Sequence, residues 1–270
     1  MPPVFLAAAI QLNATADRAR NRTQADDLIR QAVDAGARFV ALPENADQIA
    51  PRDQRIAEAE TLDGPLVVHY RQVARDSRIW LLLGSFAEKI AGAQKIRNTS
   101  VLIDPAGLVV GVYRKIHLFD ADPPDGVPYR ESATVDAGTE AVEVQTPLGT
   151  IGLSICYDLR FPELYRLLSS RGATLLTVPS AFTVPTGHAH WEVLIRARAI
   201  ENLAYVIAPA QVGDHGNGRH SHGHALIVDP WGTVLADAGR DAPGIALGEV
   251  NPAEVDRVRR MLPALDHRRL

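Results

Sequence analysis

The segment GLSICYDLRFPELYR (152–166) holds Cys156, the only cysteine among 270 residues. Ile151, Leu153 and Ile155 alternate as a strand, and Phe161-Pro162-Glu163 opens a helix, with proline near its first position and glutamate in its first turn. Cys156 thus falls on a strand-to-helix elbow, where backbone N–H groups and the helix N-terminus favour a thiolate, the nucleophilic form of cysteine. The competing reading is a buried cysteine that serves as an apolar filler. Glu44, in LPEN (42–45), lies just beyond another apolar strand, where partial burial raises a carboxyl towards the pKa of a useful proton shuttle. A helix cap is the plainer role for the same residue. Lys115, in YRKIHLFD (113–120), follows directly on a strand that ends at the same sheet.

Two other arrangements compete for the cysteine. A cysteine–histidine hydrolase would use His188 or His190 as base and would need neither Glu44 nor Lys115. A phosphatase loop is ruled out, because the sixth residue after Cys156 is Pro162 where that loop requires arginine. The run HGNGRHSHGH (215–224) contains His215, His220, His222 and His224 and has the composition of a metal tract. Alternation of the last three would set them on one face of a strand.

The elements that must position these residues come in two sets. DAGARFVALPEN (34–45) is echoed by SRGATLLTVPSAF (170–182): each reads Gly-Ala, a mostly apolar run, then proline. An amphipathic helix precedes each, with Leu28, Ile29, Ala32 and Val33 on one face of the first and Leu164, Leu167 and Leu168 on one face of the second. The glycine suits a helix C-cap and the apolar run a buried strand. VLIDPAGLVVGV (101–112) and LIVDPWGTVLAD (226–237) are both strand, Asp-Pro-x-Gly turn, strand, hence hairpins. Between the echoes lie a further helix (Pro65 to Arg75, and roughly Gly187 to Asn202) and a further buried strand (IWLLLGSF and AYVIAPAQ). Each set makes a mixed sheet with its helices on one face, and the bare faces need cover. Packing them together predicts an α/β fold with a four-layer α-β-β-α sandwich and an internal pseudo-two-fold repeat, one domain over residues 1–270. A single doubly wound parallel sheet is the alternative.

Composition narrows the partners. A formal net charge of −4 and 46% hydrophobic residues describe a globular chain with no broad basic field to hold a phosphate backbone, so no nucleic acid is expected. One cysteine permits no internal disulfide, which suits a reducing compartment. The start, MPPVFLAAAIQLN, lacks the basic residues of a signal peptide and reads as a first strand; no apolar run approaches the roughly 18 residues of a membrane span. A cytoplasmic protein with no membrane association and a small-molecule partner is expected.

LPEN, YRKIHLFD and GLSICYDLRFPELYR, in that order, resemble the three catalytic motifs of the nitrilase, or carbon-nitrogen hydrolase, superfamily. The resemblance runs along nearly the whole chain and implies the same α-β-β-α sandwich. It implies Cys156 as nucleophile, Glu44 as general base and acid, and Lys115 as the cation that, with a backbone N–H such as that of Tyr157, holds the oxyanion of a tetrahedral intermediate. Glu131, in PYRESATVDAG (128–138), matches a second glutamate that positions the lysine and substrate; on its own it would read as a solvated loop residue. No metal or organic cofactor is implied, and the histidine-rich run falls where family members have a histidine-containing segment without a required metal.

The stretch 179–232 resembles a narrower branch, the deaminated glutathione amidases, which split 2-oxoglutarate from cysteinylglycine. The neighbouring omega-amidases act on 2-oxoglutaramate with the same catalytic residues. Either substrate is a 2-oxo acid amide, whose carboxylate is best held by a guanidinium. Arg160 is the candidate, with an ion pair to Glu163 or Asp158 as its alternative; Phe182 and Thr186 are candidates to line the pocket. The basic tail 257–270 matches a segment used for dimer contacts, which implies a homodimer. A catalytically silent binding scaffold is the reading from a different class, and the intact Cys156, Lys115, Glu44 and Glu131 oppose it.

Overall fold

The structure, a computed structural model, describes residues 2–123, 128–216 and 218–269. Asn217 of the histidine-rich run and Leu270 of the basic tail lie outside these residues.

Helix formation follows the apolar spacing. Asp17 caps the helix Arg18–Asp34 by accepting from Arg20 N at 3.0 Å, and Ala25, Leu28, Ile29 and Ala32 form its buried stripe. Gly36, at φ +94°, ends it as expected for a glycine that must turn left-handed. The helix Pro65–Ser77 starts on proline and buries Leu66, Val67, Tyr70 and Ala74. In the second half, Pro162–Ser170 buries Leu164, Tyr165 and Leu168, and Val184–Asn202 buries Trp191, Ile195 and Ala199. Two of the four run further than the sequence suggests, to Ser77 at one end and from Val184 at the other. A short additional helix, Arg52–Ala57, follows the Glu44 strand end.

Apart from the small pair Asp120–Ala121 and Tyr129–Arg130, the strands give two sheets with the same internal order. In the first, Phe5–Leu12, Ala37–Ala41 and Trp80–Lys89 are parallel, and the hairpin Ile96–Ile103 and Val109–Arg114 continues antiparallel. In the second, Gly149–Leu153, Leu175–Thr177 and Tyr205–Ala208 are parallel, followed by the antiparallel hairpin Leu226–Val228 and Val234–Asp237. Each first strand has an antiparallel neighbour on its other side: Glu143–Thr146 beside Gly149–Leu153, and Gly244–Val250 beside Phe5–Leu12. The last of these comes from the far end of the chain and was not distinguishable as part of the first sheet from its sequence. Ala210–Asp214, which pairs the end of Phe5–Leu12, and His220–His222 extend that sheet further.

Alternation assigns the faces. Ala8, Ile10, Val40, Leu81 and Leu83 pack with Leu28, Ile29, Val67 and Tyr70 under the first pair of helices. Their neighbours Ala7, Ala9, Phe39 and Leu82 join a core with Ile151, Leu153, Leu175 and Ile227 of the second sheet, whose other side carries Leu164, Leu168, Trp191 and Ile195. Each fully buried Leu or Ile in these layers contributes about 1.5–3 kcal/mol. The result is the four-layer α-β-β-α sandwich, with both sets of parallel strands delivering their C-terminal ends to one cleft.

Candidate active site

Three strand ends meet at that cleft. Glu44 follows Ala37–Ala41, Lys115 follows Val109–Arg114, and Cys156 follows Gly149–Leu153, all three side chains buried. Lys115 Nζ donates to Glu44 Oε1 at 2.9 Å and to Glu131 Oε2 at 2.8 Å, so one ammonium joins two carboxylates. Glu131 lies in a 3-10 turn, Glu131–Ala133, whose backbone amide bonds Phe119 O at 3.2 Å. It is not the solvated loop residue that its own context suggested: its side chain is 12% exposed, and Phe119 N also donates to Oε2 at 2.7 Å.

Burial works against the Lys115 charge, yet Glu131 and Glu44 outweigh it and hold the ammonium well above the ordinary lysine range. Burial likewise pushes Glu131 upwards, but the Lys115 charge and hydrogen bonds from Lys115, Phe119 N and Asn98 bring it below the ordinary carboxylate value. The lysine therefore stays cationic and Glu131 stays anionic across the physiological range.

Cys156 behaves differently from the local expectation. The elbow is present: Cys156 adopts φ +49°, in the left-handed region that non-glycine residues rarely enter, and begins a 3-10 turn, Cys156–Arg160, before the helix Pro162–Ser170. Its amide donates to Pro179 O at 2.9 Å. Burial nevertheless pushes the thiol well above its ordinary value, the Glu44 carboxylate pushes the same way, and Lys115 offsets only part of this. The resting residue is a thiol beside a carboxylate able to take its proton, not a standing thiolate. Desolvation decides the sign, which sequence position alone does not reveal.

Further residues fix this geometry without having signalled themselves in the sequence. Asn98 Nδ2 bridges Glu44 Oε1 at 2.9 Å and Glu131 Oε1 at 3.1 Å, and the Asn98 backbone carbonyl accepts from the Lys115 backbone N–H at 2.9 Å. Ala181 N donates to Glu44 Oε2 at 3.0 Å, so the second half supplies a backbone donor to a first-half carboxylate. Asp158, fully buried, accepts from Tyr113 Oη at 2.7 Å, Ile155 N at 2.8 Å, His117 N at 3.1 Å and His117 Nδ1 at 2.8 Å. It ties the cysteine elbow to the segment that carries Lys115.

Two cavities meet at Cys156. Tyr157, Arg160, Phe182 and Thr186 line a recess of ≈ 220 Å³, including its open mouth, beside it, which brings all four predicted pocket residues together. The Arg160 guanidinium stands 5.7 Å from the Tyr157 ring centroid and 5.4 Å from that of Phe182. Among the described residues it makes no ion pair with Glu163 or Asp158; its polar neighbour is His190 Nδ1 at 3.3 Å. The second cavity, ≈ 860 Å³ including its open mouth, is lined by Glu44, Lys115, Glu131 and Cys156 and reaches out to Arg55 and Arg219.

The histidines are engaged elsewhere. His215 is buried between Ala14 O at 2.7 Å and Ser221 Oγ at 2.8 Å. His222 packs against His188 and His224, and burial with those neighbours pushes it down to about 4. His224 adopts φ +55° and pairs with Asp237 at 2.8 Å, so His220, His222 and His224 do not share one strand face. Neither His188 nor His190 lines a cavity beside Cys156, and the position of a base there is occupied by Glu44.

A doubled sandwich with a buried Glu–Lys–Cys cluster at its strand ends defines a class, and the chain belongs to the carbon-nitrogen hydrolase family, whose sequence profile matches residues 6–260. The protein is thus a hydrolase of amide-type carbon–nitrogen bonds. Within that family it is 47% identical to the deaminated glutathione amidase of Synechocystis over 267 residues, covering 98% of both chains. It is 44% identical to the human deaminated glutathione amidase, covering 98% of this chain and 82% of that one. The crystal structure of the C. elegans NitFhit protein superposes with a TM-score of 0.92 at 41% identity, covering 99% of this chain and 66% of that one. Among the described residues no helix is long and apolar enough to cross a membrane.

Proposed function

We propose that the protein hydrolyses deaminated glutathione to 2-oxoglutarate and cysteinylglycine through a thioester on Cys156. The observation that carries the reading is the buried Lys115 held between Glu44 and Glu131 at 2.9 and 2.8 Å beside a protonated cysteine. The likeness to deaminated glutathione amidases over nearly the full length supports the substrate.

Glu44 accepts the Sγ proton as sulfur attacks the amide carbon, so the thiolate exists only as it reacts. The negative charge that develops on the carbonyl oxygen faces the Lys115 ammonium and the Tyr157 N–H. Collapse breaks the C–N bond, and Glu44 returns the proton to the departing amine. Water then attacks the thioester, giving one proton to Glu44, which passes it back to the sulfur as 2-oxoglutarate leaves. Glu131 keeps Lys115 charged and in place throughout. Arg160, with Tyr157, Phe182 and Thr186 around it, receives the 2-oxo acid end. None of these steps calls on a metal or organic cofactor. The protein acts as a cytoplasmic homodimer joined through its outer helices, and a monomeric mass by light scattering at micromolar concentration would refute that assembly.

The test is release of 2-oxoglutarate from deaminated glutathione and, in parallel, from 2-oxoglutaramate, with the Cys156→Ala variant beside the unmodified protein. Turnover that depends on Cys156 and favours deaminated glutathione is expected. Preference for 2-oxoglutaramate would overturn the substrate while keeping the chemistry, and release from neither would remove the 2-oxo acid pocket.

A further inference from the structure

We propose that Arg55 and Arg219 form a second anion subsite, across Cys156 from Arg160, which receives the terminal carboxylate of the leaving dipeptide. The inference rests on the deaminated glutathione reading and assigns the half of the substrate that Arg160 does not hold. The two cavities share Phe119, Cys156, Ala181 and Thr183, so the nucleophile stands where they join. A substrate whose scissile amide sits at Cys156 must place its acyl part in one and its amine part in the other. The recess with Arg160 suits the compact 2-oxo acid, and the larger cavity is left for the dipeptide.

That larger cavity carries cations without matching acids. Arg55 projects from the helix Arg52–Ala57, and its Nη2 donates to Asn45 Oδ1 at 3.0 Å. Arg219 lies in the turn before the strand His220–His222, 5.8 Å from the Tyr129 ring centroid. Both are half-buried, and neither has a carboxylate within ion-pair distance among the described residues. The acids nearby are already engaged: Glu44 and Glu131 by Lys115, Asp47 by Arg18 at 3.5 Å, and Asp122 by Arg130 at 2.8 Å. Burial lowers the Arg219 pKa, and the charge of Arg55 lowers it further. Two guanidiniums that repel one another across a cleft are relieved by an anion between them, and a carboxylate matches their forked donors. Lysine-type point charges would give attraction without that fit.

The experiment compares deaminated glutathione with the same compound capped as a carboxamide on its glycine. The unmodified protein should favour the free acid, and Arg219→Gln and Arg55→Gln should each cut the acid-to-carboxamide ratio of kcat/KM by about 10–100-fold, mainly through KM. Arg160→Ala should lower both substrates and leave the ratio in place. A merely structural role for Arg55 or Arg219 would also lower both together, so an unchanged ratio in their variants overturns the subsite. Failure of the unmodified protein to cleave deaminated glutathione would instead overturn the substrate reading, and the subsite with it.

Discussion

The two halves of the molecule share one topology and contribute opposite chemistry. Ala7 pairs Phe39 in the first sheet as Ile151 pairs Leu175 in the second, which sets Leu12 opposite Cys156 in the repeat and Glu44 opposite Ser180. The hairpins correspond bond for bond: Asp104 Oδ1 accepts from the amides two and four residues on, and Asp229 Oδ1 does the same. Extended along the hairpin, that correspondence sets Asn98 opposite Gly223 and Lys115 opposite Arg240. The first half therefore supplies charged and amide side chains, whereas the second supplies the thiol and, through Ala181 N and Pro179 O, backbone groups that hold it and Glu44. The divergence begins in one strand. Phe5–Leu12 continues into pairing with Ala210–Asp214, but its counterpart stops at Leu153 and turns sharply at Cys156. Duplication fixes where strand ends converge; the reaction needs the ends to differ.

Substitutions at matched positions test this asymmetry. Lys115→Met should have the largest effect, since it leaves Glu44 and Glu131 buried without their cation. Hydrolysis should be lost and stability should fall by about 3–5 kcal/mol, read from urea unfolding. Glu44→Gln should reduce hydrolysis by about 10²–10⁴-fold. Labelling of Cys156 by iodoacetamide at neutral pH should slow as well, because burial still holds the thiol well above its ordinary value and the base that takes the Sγ proton during attack is gone. Labelling at an unchanged rate would show that Glu44 is not the base for the thiol. Asp158→Asn, which removes an acceptor from the link between the cysteine elbow and Tyr113 and His117, should cost about 1–3 kcal/mol in thermal or urea unfolding. Arg240→Ala, the counterpart of Lys115 in an exposed pair with Asp241, should change stability by no more than about 0.5 kcal/mol and spare activity.

The same asymmetry explains what the sequence made legible. Gly-Ala, apolar run, proline, and the two Asp-Pro-x-Gly turns are local signals, and they led to the sandwich. Glu44, Lys115 and Cys156 stand at strand ends with recognisable neighbours; Tyr157 and Arg160 fall on the cysteine elbow, and Phe182 and Thr186 fall on the turn and helix start that follow Leu175–Thr177. Asn98 stands mid-strand in IRNTSVLI, where one amide has no spacing to mark it. Asp158 read as a possible partner for Arg160, and only the packed structure shows its four bonds spent elsewhere. The protonated state of Cys156 was hidden because desolvation is a property of the assembled core. Strand Gly244–Val250 was hidden because its partner lies at the opposite end of the chain.

That last pairing has a consequence for how the protein is made. From Phe5 to Gln11 the first strand bonds along one edge to Gly244–Val250, so this edge stays open on the ribosome until more than two hundred further residues have emerged. At about 5–20 residues per second the wait is on the order of 10–50 s. An unpaired, almost wholly apolar strand is a template for pairing with other chains during that interval. The nascent first half is accordingly the stage at which this protein is most exposed to pairing with other chains.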